Sequence, residues 1–133
     1  MSDDPFLEAL ADALEPIDRA YEMNAVPPKP KYPYLAYSLS FERPDGYTLD
    51  ASHGFRWCRI TWQAFGRSLT SVRDIDNAAT DLLLDRSLDV PGWECDPTGP
   101  TGALLGALVR DPADDGILQI TSTLTFTATK ERP

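Results

Sequence analysis

FRWCRITWQAFGRSLTSVRDIDNAATDLLL, residues 55–84, changes its period once, and that change decides the fold. Up to Phe65 it alternates. Cys58, Ile60, Trp62 and Ala64 share one face, and Phe55, Trp57, Arg59, Thr61 and Gln63 share the other. This is the two-residue repeat of a strand, with the first set as the core side. After the break at Gly66-Arg67-Ser68, the apolar residues Val72, Ile75, Ala79, Leu82 and Leu83 recur at helical spacing. They predict an amphipathic helix starting near Ser68 or Ser71, with Arg73, Asp74, Asn77 and Asp81 facing out. The stretch is thus an α/β packing unit, and it offers no catalytic group.

Upstream, Leu35, Tyr37, Leu39 and Phe41 alternate with Ala36, Ser38 and Ser40, a half-buried strand. Before it, Tyr21 to Lys31 reads as a loop whose PPKPKYP run (27–33) favours extended polyproline geometry. A stiff arm leading into a strand accounts for that run better than a ligand for an SH3-type partner. At the start, Asp4 can cap a helix and Pro5 suits its first position. Phe6, Leu7, Leu10, Ala13, Leu14 and Ile17 follow at helical spacing, and Pro16 is expected to bend or end that helix. Residues 42–54 form a long polar connection, a candidate functional loop.

Downstream, Pro91-Gly92 breaks the chain. Trp93 to Cys95 suggests a short strand, Leu104 to Arg110 a third strand, and Ile117 to Thr127 the last. Leu118, Ile120, Leu124 and Phe126 then point one way, and Gln119, Thr121, Thr123 and Thr125 the other. The expected fold is α+β. A mostly antiparallel four-stranded sheet carries two helices on one face, in the order α-β-β-α-β-β. The other sheet face is rich in Ser, Thr and Gln, which suits solvent and equally the wall of a water-filled channel.

The chain has 133 residues, which suits a single domain over residues 1–133. Cys58 and Cys95 make no disulfide framework and read as buried thiols. No apolar run approaches the roughly 18 residues of a membrane span. MSDDPFLEAL carries acid where an export signal carries base, so a reducing cytoplasm is expected until assembly. The net charge of −9 argues against free nucleic-acid binding. Charge is uneven: residues 1–22 hold seven acids against one base, 23–73 seven bases against three acids, and 74–133 eleven acids against four bases. Either the surface is simply solvated, or the basic middle of one copy meets the acidic ends of another.

Candidate chemistry is sparse. His53, the one histidine, lies near Ser52 and Asp50 in sequence, which does not make a triad. The chain has too few Cys and His for a zinc site. Asp111, Asp114, Asp115 and Gly116 lack the alternation and terminal Glu of a calcium loop. GPTGALLG (99–106) lacks the Lys and Ser/Thr of a phosphate loop. Trp57, Trp62 and Trp93 read as core or interface anchors. No motif supports an enzyme.

The order of an amino-terminal helix, a Pro-rich arm, PYLAYSLS, the 55–84 unit, a PGW turn and a carboxy-terminal strand ending LTFTAT resembles the tail terminator, or tail completion, proteins of long-tailed phages with non-contractile tails. The resemblance covers nearly the whole chain and rests on element order and texture. It implies a structural protein without a cofactor. The family forms a ring, usually of six copies, on the head-proximal end of the tail tube, stops tube growth and presents a surface to the head connector. The implied partners are further copies of the chain, the major tail tube protein and a connector or stopper protein. DNA passes through the lumen without specific binding, no membrane is involved, and the place is the virion tail after assembly in the host cytoplasm. The alternatives are another head–tail connector (stopper or adaptor) or a small cytoplasmic peptide-binding module. The candidate inter-subunit residues are Arg56, Arg59, Arg73, Trp57, Asp45, His53 and Pro28.

Overall fold

A computed structural model describes residues 5–42, 55–100, 107–110 and 116–130. The 55–84 unit folds as its periods dictate. Its first part is β3 (Phe55–Gly66) and its second is helix α2 (Leu69–Leu83). Ser68 caps the helix: its side chain accepts from the Ser71 N–H at 3.1 Å, satisfying one of the amides that a helix start leaves without a partner. Gly66 makes the tight passage possible. A Cβ there would lie 2.8 Å from Ser71 Oγ and 3.3 Å from both Val72 Cβ and Val72 N. Past α2, the Leu84 N–H donates to the Thr80 carbonyl at 2.8 Å, and Asp85 turns the chain with φ +57°.

Helix α1 spans Pro5–Ala13 and buries Phe6, Ala9 and Leu10. It stops ahead of Pro16, because the residue before a proline is pushed out of the helical region. Turns follow, with Leu14 buried against the core. Three further strands carry the register. These are β2 (Tyr34–Glu42), antiparallel to β3, and β7 (Leu118–Lys130), antiparallel to β3 on its other side, plus β1 (Ala20–Glu22), parallel to β2. β4 (Trp93–Cys95), β5 (Gly99–Pro100) and β6 (Ala107–Arg110) each pair with a different part of β7. Since β3 occupies one edge of β7 from Leu118 to Thr129, these three short strands share the other edge.

The expected four-stranded sheet in the order α-β-β-α-β-β is therefore corrected. The sheet is curled and five columns wide along β1-β2-β3-β7-β4, with β5 and β6 completing the last column. All of β1 but Ala20, and the 3-10 turn Met23–Ala25, lie where the sequence predicts a loop. The reason is that a three-residue strand is held by backbone pairing and needs no side-chain alternation. The third expected strand begins at Ala107 in the described residues, and 104–106 lie outside them. Pro91-Gly92 forms a turn closed by Trp93 N–H to the Val90 carbonyl at 3.0 Å, with Gly92 at φ +83° as a type II turn requires.

Both helices cover one face of the sheet. Leu35, Tyr37, Cys58, Ile60, Trp62, Ala64, Ile120, Leu124, Phe126 and Ala128 meet Phe6, Leu10, Leu14, Val72, Ala79 and Leu83 there. Burial of this apolar set supplies the main favourable term of the fold. No helix among the described residues is long and apolar enough to cross a membrane.

Candidate interaction surfaces

One polar group sits inside the core. Asp76 of α2 is 5% exposed. Its Oδ1 accepts from Trp62 Nε1 at 2.8 Å and from Ser122 Oγ at 2.9 Å. The carboxyl group thus ties α2 to β3 and β7 at the centre of the sheet. Buried polar groups need such partners, and this triad spends them on one another. It is a structural pin, with a buried tryptophan and serine around the acid. Asp76 lies between Val72 and Ala79 on the helix's inner stripe, a position that signals burial despite its polar side chain.

The face without helices is hydroxyl-rich, as the alternation predicts. Ser38, Ser40, Thr61, Gln63, Gln119, Thr121, Thr123, Thr125 and Thr127 share it by register. Thr61 and Thr123 hydroxyls lie 3.5 Å apart, and Gln119 Nε2 donates to Thr121 Oγ1 at 3.3 Å. At one end of that face, Tyr34 stacks on Phe65 at 4.8 Å between centroids, with Tyr32 at 5.5 Å from Tyr34. The Arg67 guanidinium covers the Tyr32 ring at 4.8 Å, where cation and ring face attract.

Those candidate interface residues that fall among the described residues do not gather on one surface. Trp57 and Arg59 share the hydroxyl-rich face, where Trp57 is 38% exposed. Arg56 has the opposite parity and turns to the helix side. Its guanidinium lies 4.6 Å from the Phe41 ring, 5.2 Å from Trp93 and 5.5 Å from Phe6. Phe6 meets Phe41 edge-on at 5.5 Å and Trp93 at 5.1 Å, so Arg56 closes the core at that end of the sheet. Arg73 is exposed on α2, and Pro28 is exposed on the arm before β2. Asp45 and His53 lie outside the described residues.

Two of the clefts among the described residues flank the helices. One of about 420 Å³ is lined by Ile17, Arg19, Pro33, Ser71, Asp74 and Ile75, and Arg19 Nη1 there donates to the Tyr32 carbonyl at 3.0 Å. The other, about 390 Å³, lies between α1 and the end of α2 beside Asp12, Leu82, Arg86 and Asp89. Among the described residues, no group of three or more His, Cys, Asp or Glu side chains is placed to hold a metal ion. Burial raises the Cys95 thiol's pKa above its ordinary value, and Asp96 and Asp89 raise it further. Burial also raises the Tyr37 phenol, with help from Glu22.

Several solved structures match in shape. A chain of the virion of a native gene transfer agent particle superimposes with a TM-score of 0.60 at 16% identity, covering 92% of this chain and 84% of that one. A second solved protein matches with a TM-score of 0.68 at 13% identity, over 100% of this chain and 99% of its own. The likeness is one of fold. No protein-family model and no curated protein matches the sequence.

Proposed function

We propose that this chain is a structural protein of a phage-type virion, and within that class a tail terminator. In this reading several copies, six as in the family it resembles, form a ring on the head-proximal end of the tail tube. The ring blocks further tube subunits and offers the head connector a docking surface. The observation that carries the reading is the likeness of fold, over 92% of the chain, to a protein of a gene transfer agent virion. The element order that resembles tail terminators supports the finer assignment.

The surface chemistry fits the role. A sheet with helices on one face leaves its other face to line a passage, and here that face is built mainly from hydroxyl and amide groups. Such a wall offers DNA few cations, and the net charge of −9 adds repulsion. Transit without sticking requires that balance, since phosphate affinity comes from clustered Lys and Arg. The protein acts by shape and self-association and needs no cofactor.

The test is electron microscopy of particles assembled without this protein. Overlong tubes lacking heads are the expected result. Tails of normal length joined to capsids would refute the terminator role.

A further inference from the structure

Residues 23–33 join β1 to β2, and the part from Met23 to Lys31 stands largely outside the fold. Met23 is 38% exposed, and Ala25, Pro27, Pro28, Lys29 and Lys31 are exposed with it. The far end of this arm is held in place. The Tyr32 carbonyl accepts from Arg19 Nη1 at 3.0 Å, and the Tyr32 ring lies 4.8 Å from the Arg67 guanidinium and 5.5 Å from the Tyr34 ring. Pro27, Pro28 and Pro30 fix φ along the run. The arm is thus arranged before it meets a partner, and docking it costs little ordering entropy. Its chemistry is apolar and cationic, since no Asp or Glu lies between Glu22 and Glu42.

The cleft between α1 and the end of α2 has the complementary character. Ala13, Leu82 and Leu88 give it an apolar lining, and Asp12 and Asp89, both exposed, line it too. Glu8, one turn before Asp12 on α1, and Asp85, just past α2, add exposed negative charge. Arg86, a base in the lining, turns its Nε to the Asp81 carbonyl at 2.9 Å. Arm and cleft lie at opposite borders of the sheet. β1 begins the order β1-β2-β3-β7-β4, and the arm leads from it into β2. At the other border, residues 85–90 run along the outer side of β4. Trp93 N–H donates to the Val90 carbonyl there at 3.0 Å, Asp85 N–H to the Thr98 carbonyl at 3.1 Å, and Thr98 N–H to the Arg86 carbonyl at 3.1 Å.

We propose that the Pro27–Lys31 arm of one copy docks in the α1–α2 cleft of the next, with its prolines on the apolar lining and Lys29 and Lys31 against Asp12 and Asp89. This rests on the ring reading above and names the two patches that meet. A ring needs two different patches on two sides of each subunit, because a single self-complementary patch closes at a dimer. Opposite borders of the sheet supply those two sides. A proline-rich segment suits an apolar groove, because its extended shape is already set. The uneven charge of the chain also finds a place in this contact. The arm belongs to the basic middle, Asp12 to the acidic start and Asp89 to the acidic carboxy-terminal part.

The test exchanges charges in the full chain. Lys29→Glu with Lys31→Glu makes the arm acidic, and Asp12→Lys with Asp89→Lys makes the cleft basic. All four side chains are exposed, and thermal melts report the fold of each variant. Each variant alone is expected to form rings more than about tenfold less readily in mass photometry. Mixing the two restores rings, since each arm then meets a cleft of opposite charge. One chain carrying all four changes forms them as well. Carbodiimide coupling of the wild-type chain, with labelled and unlabelled copies mixed, joins Lys29 or Lys31 to Asp12 or Asp89 of a different copy, as mass spectrometry will show. If a variant does not fold, this coupling decides alone. Rings that persist in both variants, or that neither mixing nor the fourfold exchange restores, would overturn the docking and leave the ring reading standing. Coupling of the arm only to a different virion protein would show that the arm has another partner, and would also overturn the docking. A wild-type chain that is a single particle at every concentration, and on tube ends, would overturn both.

Discussion

Replacing Asp76 by alanine removes the pin between α2 and the sheet. Both partners, Trp62 Nε1 and Ser122 Oγ, bond to the same oxygen, so one truncation takes the acceptor from two buried donors. Each buried donor left without that bond costs about 1–3 kcal/mol. The vacated volume adds to the loss, and release of a buried carboxyl group offsets part of it. The net expectation is a loss of about 2–5 kcal/mol, out of a total of about 5–15 kcal/mol for a typical domain. In melting temperature this is a fall of roughly 6–20 °C. Urea unfolding followed by tryptophan fluorescence and far-ultraviolet circular dichroism measures it as a shift in midpoint at constant slope. Asp76→Asn keeps an oxygen acceptor in place and loses roughly half as much. Adding Ser122→Ala to Asp76→Ala costs less than the two single losses combined, because the bond between Ser122 and Asp76 can be lost only once. An Asp76→Ala protein within about 0.5 kcal/mol of wild type, the range of ordinary surface changes, would refute the account of a shared buried acceptor.

Gly66→Ala places a methyl group against Ser71 and the Val72 backbone, and is expected to cost about 1–3 kcal/mol by chemical denaturation. Ser68→Ala removes the α2 cap and lowers stability by about 1 kcal/mol, with Ser68→Asp restoring most of it. Cys95 should alkylate more slowly at pH 8 than a free thiol, because burial first and then Asp96 and Asp89 disfavour its thiolate. Asp96→Asn with Asp89→Asn speeds the reaction, as mass spectrometry of timed iodoacetamide reactions will show. The same raised pKa gives a stability sign. The contribution from the neutral thiol is complete below the unfolded-state pKa, near the ordinary 9.0. It is lost as pH rises from there through the folded value.

Elements that bury one face are legible in the sequence, because burial imposes a period. β2, β3, α2 and β7 show their repeats in Leu35 to Phe41, Cys58 to Ala64, Val72 to Leu83 and Leu118 to Phe126. β1, β4 and β5 have three, three and two residues, too few to express a period, and they are held by backbone groups that every residue carries. Asp76 hides in the sequence because the inner stripe of α2 reads as apolar, although its spacing from Val72 and Ala79 places it there. Arg56 and Arg59 look equivalent as charges, yet the two-residue repeat already separates them. Arg56 shares parity with Cys58 and Trp62, and Arg59 with Trp57 and Thr61.

The place of β7 has a consequence for biosynthesis. Of the described strands it comes last in chain order, yet it lies between β3 and the three short strands. Translation follows chain order. Until residues 118–130 have cleared the ribosome, β3 has no neighbour on one side, and Trp62 and Ile60 lack the wall formed by Ser122 and Leu124. The nascent polypeptide stays unfinished for all of that time. A stop codon placed just ahead of Leu118 would leave it an aggregation-prone fragment instead of a slightly shortened protein.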